Sequence, residues 1–300
     1  QALLFDVDGT LADTERDGHR LAFNRAFTVA GLDWRWDVAL YGELLAITGG
    51  KERMRHYVEQ YRPDWPKPEN PATAPGDVQE AQMPREAGTP GAAVALGGCS
   101  RRRSTSFVPE VVPPPSLESF SEIISRLHAA KTAHYTAMLA QGAIPLRPGV
   151  RRLLAEARTA KLRLAIATTT TPANVSALLR HTLGSDAESW FEVIGAGDAV
   201  SAKKPAPDIY YYVLERLGLP ASDCLAFEDS ENGVCAARAA GLKTVVTVND
   251  YTRTHDFTGA VIVLDHLGEA NQPFKILSPT PVNGFSFANL DFLSRLHAAA

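Results

Sequence analysis

A chain of 300 residues, 45% of them hydrophobic, is long enough to bury a sizeable core as one large domain or two smaller ones. Its 30 basic and 34 acidic residues leave a formal net charge of -4, which argues against a nucleic-acid or membrane-surface role. Three cysteines (Cys99, Cys224 and Cys235) form no CxxC pair and leave an odd one over, which fits a reducing compartment better than a disulfide scaffold. Cys224 and Cys235 sit in apolar runs and read as small core residues. No stretch of 18 apolar residues exists to span a membrane. The chain opens at Gln1 without a Met and without a signal or transit segment, as a trimmed natural N-terminus would.

Residues 2–6 (ALLFD) form a short apolar run, and the Gly-Thr after Asp8 favours a strand over a piece of helix. From Glu15 to about Tyr61 the pattern is helical and amphipathic, with aromatics spread among polar residues. The composition then changes. Between Pro66 and Ser116 lie ten of the 20 prolines and a single aromatic, Phe107. Such a segment lacks the apolar area to offset its ordering entropy and reads as a disordered or loosely held insertion, its Arg101–Arg103 run included. Helical periodicity resumes from Leu117 to about Ala140, and Pro148 opens a further helix. Apolar runs at 162–168, 191–196, 224–229, 243–248 and 261–265 then alternate with helices.

Alternation of this kind predicts right-handed βαβ units and a parallel sheet covered on both faces. The expected fold is a doubly wound, Rossmann-like α/β core, residues 1–14 and 146–300. An α-helical cap, residues 15–145, interrupts it after the first strand and contains the insertion at 66–116.

Four segments carry chemistry, each after a strand, where the loops of a doubly wound sheet form the ligand crevice. In Asp6-Val7-Asp8-Gly9-Thr10 one carboxylate can attack phosphorus and form a covalent intermediate. The second can move a proton to the leaving alkoxide and later from water. A calcium-type acidic loop or a plain turn is the bland alternative. Thr168 and Thr169, in a run of four threonines before a helix near Pro172, suit phosphate oxygens, or merely cap the helix. Lys204, before Pro205, can neutralise nucleophile and phosphate, or be a surface lysine; Asp208 reads as a first-turn helix residue. Glu228-Asp229 pairs two carboxylates that call for a cation, for which Mg2+ fits, or that cap the next helix. No single bland reading explains all four in this order.

With these segments on the page, the sequence resembles the haloacid dehalogenase superfamily, in its cap-bearing sugar-phosphatase and phosphomutase branch. DVDGT, the Thr-rich loop, KPAPDIY and EDS match the four signature motifs in order. The resemblance implies Asp6 as nucleophile, Asp8 as general acid/base, Thr168 as phosphate ligand and Lys204 as the charge-neutralising lysine. It also implies Mg2+ held by Asp6, the carbonyl of Asp8 and Asp229, with Glu228 close by. Within the branch the chain looks most like CbbY-type proteins, xylulose-1,5-bisphosphate phosphatases associated with Rubisco. DVDGTLADTE, RLAFNRAF, ITGGKERM, IPLRPGVRRLL, LAIATTTTPANV and AKKPAPDIY carry that likeness over residues 2–65 and 118–268. The insertion and the segment from Asn271 to about Phe287 depart from it.

A cap over the crevice would choose the substrate. Lys51, after Gly49-Gly50, is the candidate for a distal phosphate, with Arg53 and Arg55 behind it. Glu15 and His19 are candidates for sugar hydroxyls, although His19 reads equally well as a structural histidine. The expected partner is a small sugar phosphate and the expected state a monomer. The expected setting is a soluble carbon-fixation compartment, bacterial cytoplasm or plastid stroma. A sugar phosphomutase of the β-phosphoglucomutase type, and a silent sugar-phosphate sensor, are the competing readings.

Overall fold

Six short apolar segments pair side by side as parallel strands: β1 (Ala2–Phe5), β2 (Arg163–Ala167), β3 (Val193–Gly195), β4 (Cys224–Glu228), β5 (Lys243–Thr247) and β6 (Ile262–Leu264). The computed structural model describes residues 1–65, 119–278 and 284–299. The expected insertion at 66–116 therefore lies outside the described residues. The sheet order is β3-β2-β1-β4-β5-β6, so the chain winds outward from β1 in one direction and then from β4 in the other. The switch point between β1 and β4 is where a doubly wound sheet opens its crevice.

Both faces of the sheet are covered, so its strands are apolar throughout rather than alternating. Leu3 and Phe5 look to one side, where Phe5 stacks on Phe227 at 4.4 Å between ring centroids. Helices α5 (Val150–Thr159), α6 (Pro172–Thr182) and α9 (Leu290–Ala299) pack there. Leu4, Ala165 and Ala226 look to the other side, onto α7 (Asp208–Leu217) and α8 (Glu231–Ala239). The apolar stripe Val150, Leu153, Leu154, Ala157 shows the spacing that makes α5 amphipathic and seats it. Helix α9 was not foreseen; it drives Phe292, Leu293 and Leu296 into the same core.

Between β1 and β2 the chain makes a π-helical turn (Glu15–His19), then α1 (Arg20–Val29), α2 (Val38–Leu44), α3 (Gly50–Tyr61) and, after the undescribed stretch, α4 (Phe120–Ala140). The single helical pattern expected over 15–61 is thus broken twice. Gly31 and Gly49 stand at the breaks with φ of +72° and +98°, a region that ordinary residues avoid. Asp37 caps α2 by accepting from the Leu40 N–H at 2.9 Å. Phe23, Phe27, Trp34, Trp36, Tyr41 and Tyr57 form an aromatic cluster with centroids 4.7–6.3 Å apart. The described parts of Gln1–Trp65 and Ile123–Ala300 pack as one unit. Among the described residues no helix is long and apolar enough to cross a membrane.

Candidate active site

The ends of β1, β2 and β4 and the loop before α7 deliver polar groups to the crevice. Asp6 follows β1, tied by its N–H to the Phe227 carbonyl at 3.0 Å. Thr168 follows β2, Lys204 precedes α7, and Glu228 and Asp229 end β4. All five are buried. The Lys204 ammonium donates to Asp6 Oδ1 (2.7 Å), Glu228 Oε1 (2.7 Å) and the Ala167 carbonyl (2.8 Å), which uses its three donors. Burial would lower the Lys204 pKa, but the two carboxylates outweigh it and hold the lysine charged.

Asp6 and Asp8 are two residues apart and lie in opposite surroundings. Burial, reinforced by Glu228 and Asp8 and opposed by Lys204, pushes Asp6 up to about 7. For Asp8 burial acts in the same direction, yet His19, Thr14 and Lys131 hold its carboxyl well below the usual range. Thr14 Oγ1 donates to Asp8 Oδ1 at 2.5 Å, and His19 Nε2 lies 2.8 Å from the same oxygen. Behind His19, Lys131 of α4 brings its Nζ to 2.8 Å from Nδ1. With Lys131 charged, Lys131 donates to Nδ1 and the Nε2–H donates to Asp8.

One oxygen each of Asp6, Glu228 and Asp229 fall within 4.8 Å of one another. Burial and then the charges of Asp6 and Glu228 push Asp229 well above the carboxylate range. A surplus of buried negative charge on an all-oxygen donor set suits a hard divalent cation. Glu228 is the exception within that set. Its Oε1 accepts from both Lys204 and the Tyr210 hydroxyl, and Oε2 packs against Gly233, where a Cβ would overlap it. Neither carboxylate caps α8: Ser230 does so by accepting from the Gly233 N–H at 3.2 Å. Asp229 is instead held by the Asn249 side chain at 2.6 Å. Gly9 has φ +87°, and a Cβ there would run into the Asp229 carboxylate and Asn249.

The cavity above these groups measures about 350 Å³ and takes in Asp6, Asp8, Thr168, Thr169, Lys204, Asp229 and Glu15. A smaller cavity, about 100 Å³, adjoins it at Asp8, Glu15, Thr169 and Arg53 and is lined by four cations, Lys51, Arg53, Lys131 and Lys203, with His128 held neutral by burial and the nearby lysines. The Thr168 hydroxyl accepts from the Thr170 N–H at 3.3 Å, and Thr171 caps α6 at Asn174. Thr169 thus lies between strand and cap, open to both cavities. Asp208 opens α7, as expected.

The cap candidates separate. Lys51 lines the smaller cavity, half-exposed, 3.9 Å from Asp198. Arg53 is buried and already committed to the Leu44 carbonyl (3.1 Å) and the Tyr41 hydroxyl (2.9 Å). Arg55 lines neither cavity. Glu15 lines both and accepts from Tyr41 at 2.5 Å. Of the two readings of His19, the contacts favour the structural one: at the end of the π-helical turn, Asp8 and Lys131 take both ring nitrogens. Lys131, Tyr41, Tyr210 and Asn249 were missed from sequence. Tyr210 closes the KPAPDIY segment but has no assigned chemistry there, and a lone Lys, Tyr or Asn elsewhere carries no local signal.

A haloacid dehalogenase-like hydrolase family model matches residues 1–241. The CbbY protein of Cupriavidus necator is 46% identical over 273 residues, 91% of this chain and 88% of that one. A CBBY-like protein of Arabidopsis thaliana is 37% identical over 89% of this chain and 69% of its own length. The crystal structure of a CbbY variant from Rhodobacter sphaeroides in complex with xylulose-1,5-bisphosphate is 39% identical. It covers 90% of this chain and 97% of its own, with a TM-score of 0.66. The chain belongs to the haloacid dehalogenase-like hydrolases and, among them, to the CbbY-type phosphatases.

Proposed function

We propose that this chain removes one phosphate from a small sugar bisphosphate, xylulose-1,5-bisphosphate in the first place, through an aspartyl-phosphate on Asp6. The opposite surroundings of Asp6 and Asp8 carry the reading. A carboxylate against an ammonium is oriented and screened for attack on a phosphate dianion; one against a histidine is set to exchange protons.

An Asp6 oxygen forms the bond to phosphorus as the bond from phosphorus to the sugar oxygen breaks. Asp8, ionised at rest, takes the Nε2 proton of His19 as Lys131 passes one to Nδ1, and delivers it to the departing alkoxide. Water then attacks the phosphorus of the aspartyl-phosphate, Asp8 takes its proton, and Asp6 is released. Lys204 keeps Asp6 in place and offsets charge on the phosphoryl oxygens, for which Thr168 and Thr169 are the hydroxyl and amide donors. Mg2+, which Asp6, Asp229 and the carbonyl of Asp8 would hold, supplies further positive charge against those oxygens. Helices α1–α4 act as the cap, and the cation-ringed cavity beneath them receives the second phosphate, with Lys51 as its principal ligand. A monomer in a bacterial cytoplasm or plastid stroma completes the proposal; the relatives support a bacterial or plant source only.

The test is phosphate release from xylulose-1,5-bisphosphate and a panel of sugar monophosphates, with Mg2+ present or chelated. Release that needs Mg2+ and favours the bisphosphate is expected. Asp6→Asn should abolish it, and Asp8→Asn should lower it about a hundredfold or more. Isomerised sugar phosphate without free phosphate would mark a phosphomutase instead, and turnover surviving Asp6→Asn would end the aspartyl-phosphate reading.

A further inference from the structure

One buried cation near the crevice has no part in the chemistry above. Arg147 precedes Pro148-Gly149 and α5, and its side chain runs inward beneath the motif loop, almost wholly shielded from solvent. Its guanidinium contacts four backbone carbonyls. Nη1 donates to Gly9 and, at 3.2 Å, to Thr247; Nη2 donates to Val248 at 2.5 Å and to Asp265 at 2.7 Å. The carboxylate paired with it is Asp13, 3.4 Å away and 63% exposed.

A buried guanidinium is costly to desolvate, and one solvent-facing aspartate does little to offset that cost. What the arrangement does offer is geometry. Arg has a rigid planar fork of donors, which a lysine cannot imitate. Here the fork reaches three separate stretches of chain: the loop after Asp8, the end of β5 and the residue after β6. In the sheet β4 lies between β1 and β5, so the fork passes from one side of the β4 end to the other.

Both ends of this tie lead to carboxylates. On one side Gly9 directly follows Asp8 and lies against the Asp229 carboxylate. On the other, Val248 precedes Asn249, whose side chain donates to Asp229 Oδ2 at 2.6 Å. The backbone of Arg147 is fastened too, donating to the Leu11 carbonyl at 2.9 Å. Arg147 hydrogen-bonds none of the reacting groups; its charge reaches Asp229, and its fork holds the backbone that carries them.

We propose that Arg147 is a positioning residue that sets the separation between the loop bearing Asp6 and Asp8 and the β4 end bearing Asp229, through Gly9 on one side and Val248-Asn249 on the other. This rests on the reading of Asp6, Asp8 and Asp229 as the catalytic and cation-holding group. Partners that orient metal-binding carboxylates from behind are worth about 10–100-fold in metal affinity or activity.

The test is Arg147→Lys, which keeps the charge and loses the fork, read by two measurements. Mn2+ binding to the substrate-free protein, followed by the electron paramagnetic resonance of the free ion, should weaken about 10–100-fold. Turnover of a sugar bisphosphate should lose kcat on the same scale with KM little changed. Circular dichroism and urea unfolding establish that the variant is folded. Asp13→Asn removes the exposed charge partner alone and should stay within about twofold of wild type in both measurements. An equal loss in Asp13→Asn would make the effect one of charge and not of the fork, overturning the proposal. Should Arg147→Lys fail to fold, Asn249→Ala cuts the same tie at its far end and should weaken Mn2+ binding likewise. Wild-type Mn2+ affinity in a folded Arg147→Lys, or in Asn249→Ala, overturns the inference while wild-type turnover keeps the phosphatase reading intact. Wild-type protein that itself fails to bind Mn2+ would remove that reading first, and this inference with it.

Discussion

Replacing Lys131 by Met should change how stability depends on pH and make the protein slower as an enzyme. Lys131 is buried, and burial, aided by Arg53 and opposed by Asp8 and Glu15, lowers its pKa from 10.5 to about 8. The unfolded chain therefore binds more protons than the folded one between about pH 8 and 10.5, so this lysine makes stability rise with pH across that window. Below pH 8 it is charged in both states and the cost of burying the charge is fully present. About 2.5 units at 1.36 kcal/mol each gives about 3 kcal/mol. At pH 10 the folded protein avoids that cost by releasing the proton, for under about 1 kcal/mol. Met fills the space with a flexible apolar chain but forfeits the ammonium contacts with the rings of Phe23 (5.0 Å) and Tyr135 (5.2 Å). Those are worth about 1–2 kcal/mol when desolvated, and the buried His19 Nδ1 loses its donor at a further cost of about 1–3 kcal/mol, so the two proteins should be of similar stability at pH 7. The sharper quantity is the change with pH: the stability of the Met variant relative to wild type should fall by about 2–3 kcal/mol from pH 7 to pH 10. Urea unfolding of both proteins in chelator at the two pH values measures it. A stability difference that ignores pH would refute the depressed lysine, and an unchanged kcat would refute the claim that Lys131 holds His19 against Asp8.

Lys51→Ala should lower kcat/KM for a five-carbon bisphosphate by roughly 10- to 100-fold, the worth of a hydrogen bond to a charged group. A monophosphate should be turned over almost as before; equal losses on both substrates would remove Lys51 as the distal ligand. Gly9→Ala places a Cβ at φ +87° and against Asp229 and Asn249. The backbone strain alone costs about 1–3 kcal/mol, so urea unfolding should show a loss of at least that size together with loss of turnover. A folded Gly9→Ala protein with wild-type activity would mean the loop has room that its geometry denies.

What the sequence made legible, and what it hid, follows from how far each signal reaches along the chain. The α/β architecture was readable because each inner strand is a mostly apolar run of four or five residues in a regular alternation with helices. The motif positions were readable for a related reason: DVDGT, the threonine run and EDS each occupy a few consecutive residues at a strand end, so parallel pairing brings Asp6, Thr168 and Asp229 together, and the loop from β3 to α7 adds Lys204. The groups that tune those residues have no such concentration. His19 and Lys131 are 112 positions apart, and their meeting depends on how α4 returns over the motif loop, which no local pattern encodes. Arg147 looks like any basic residue before a Pro-Gly turn until its fork is seen to reach carbonyls about 100 and 118 positions onward. His19, open in sequence between a sugar ligand and a structural histidine, is likewise settled only by the fold: it ends a π-helical turn, invisible in a hydrophobic pattern, with Nε2 on the Asp8 carboxylate. The groups that perform the proposed chemistry are thus contiguous in sequence, whereas those that set their charge and spacing are joined only by the fold. A substitution at Lys131 or Arg147 would pass for conservative or peripheral by sequence alone and still reach Asp8 and Asp229 through a single intervening residue.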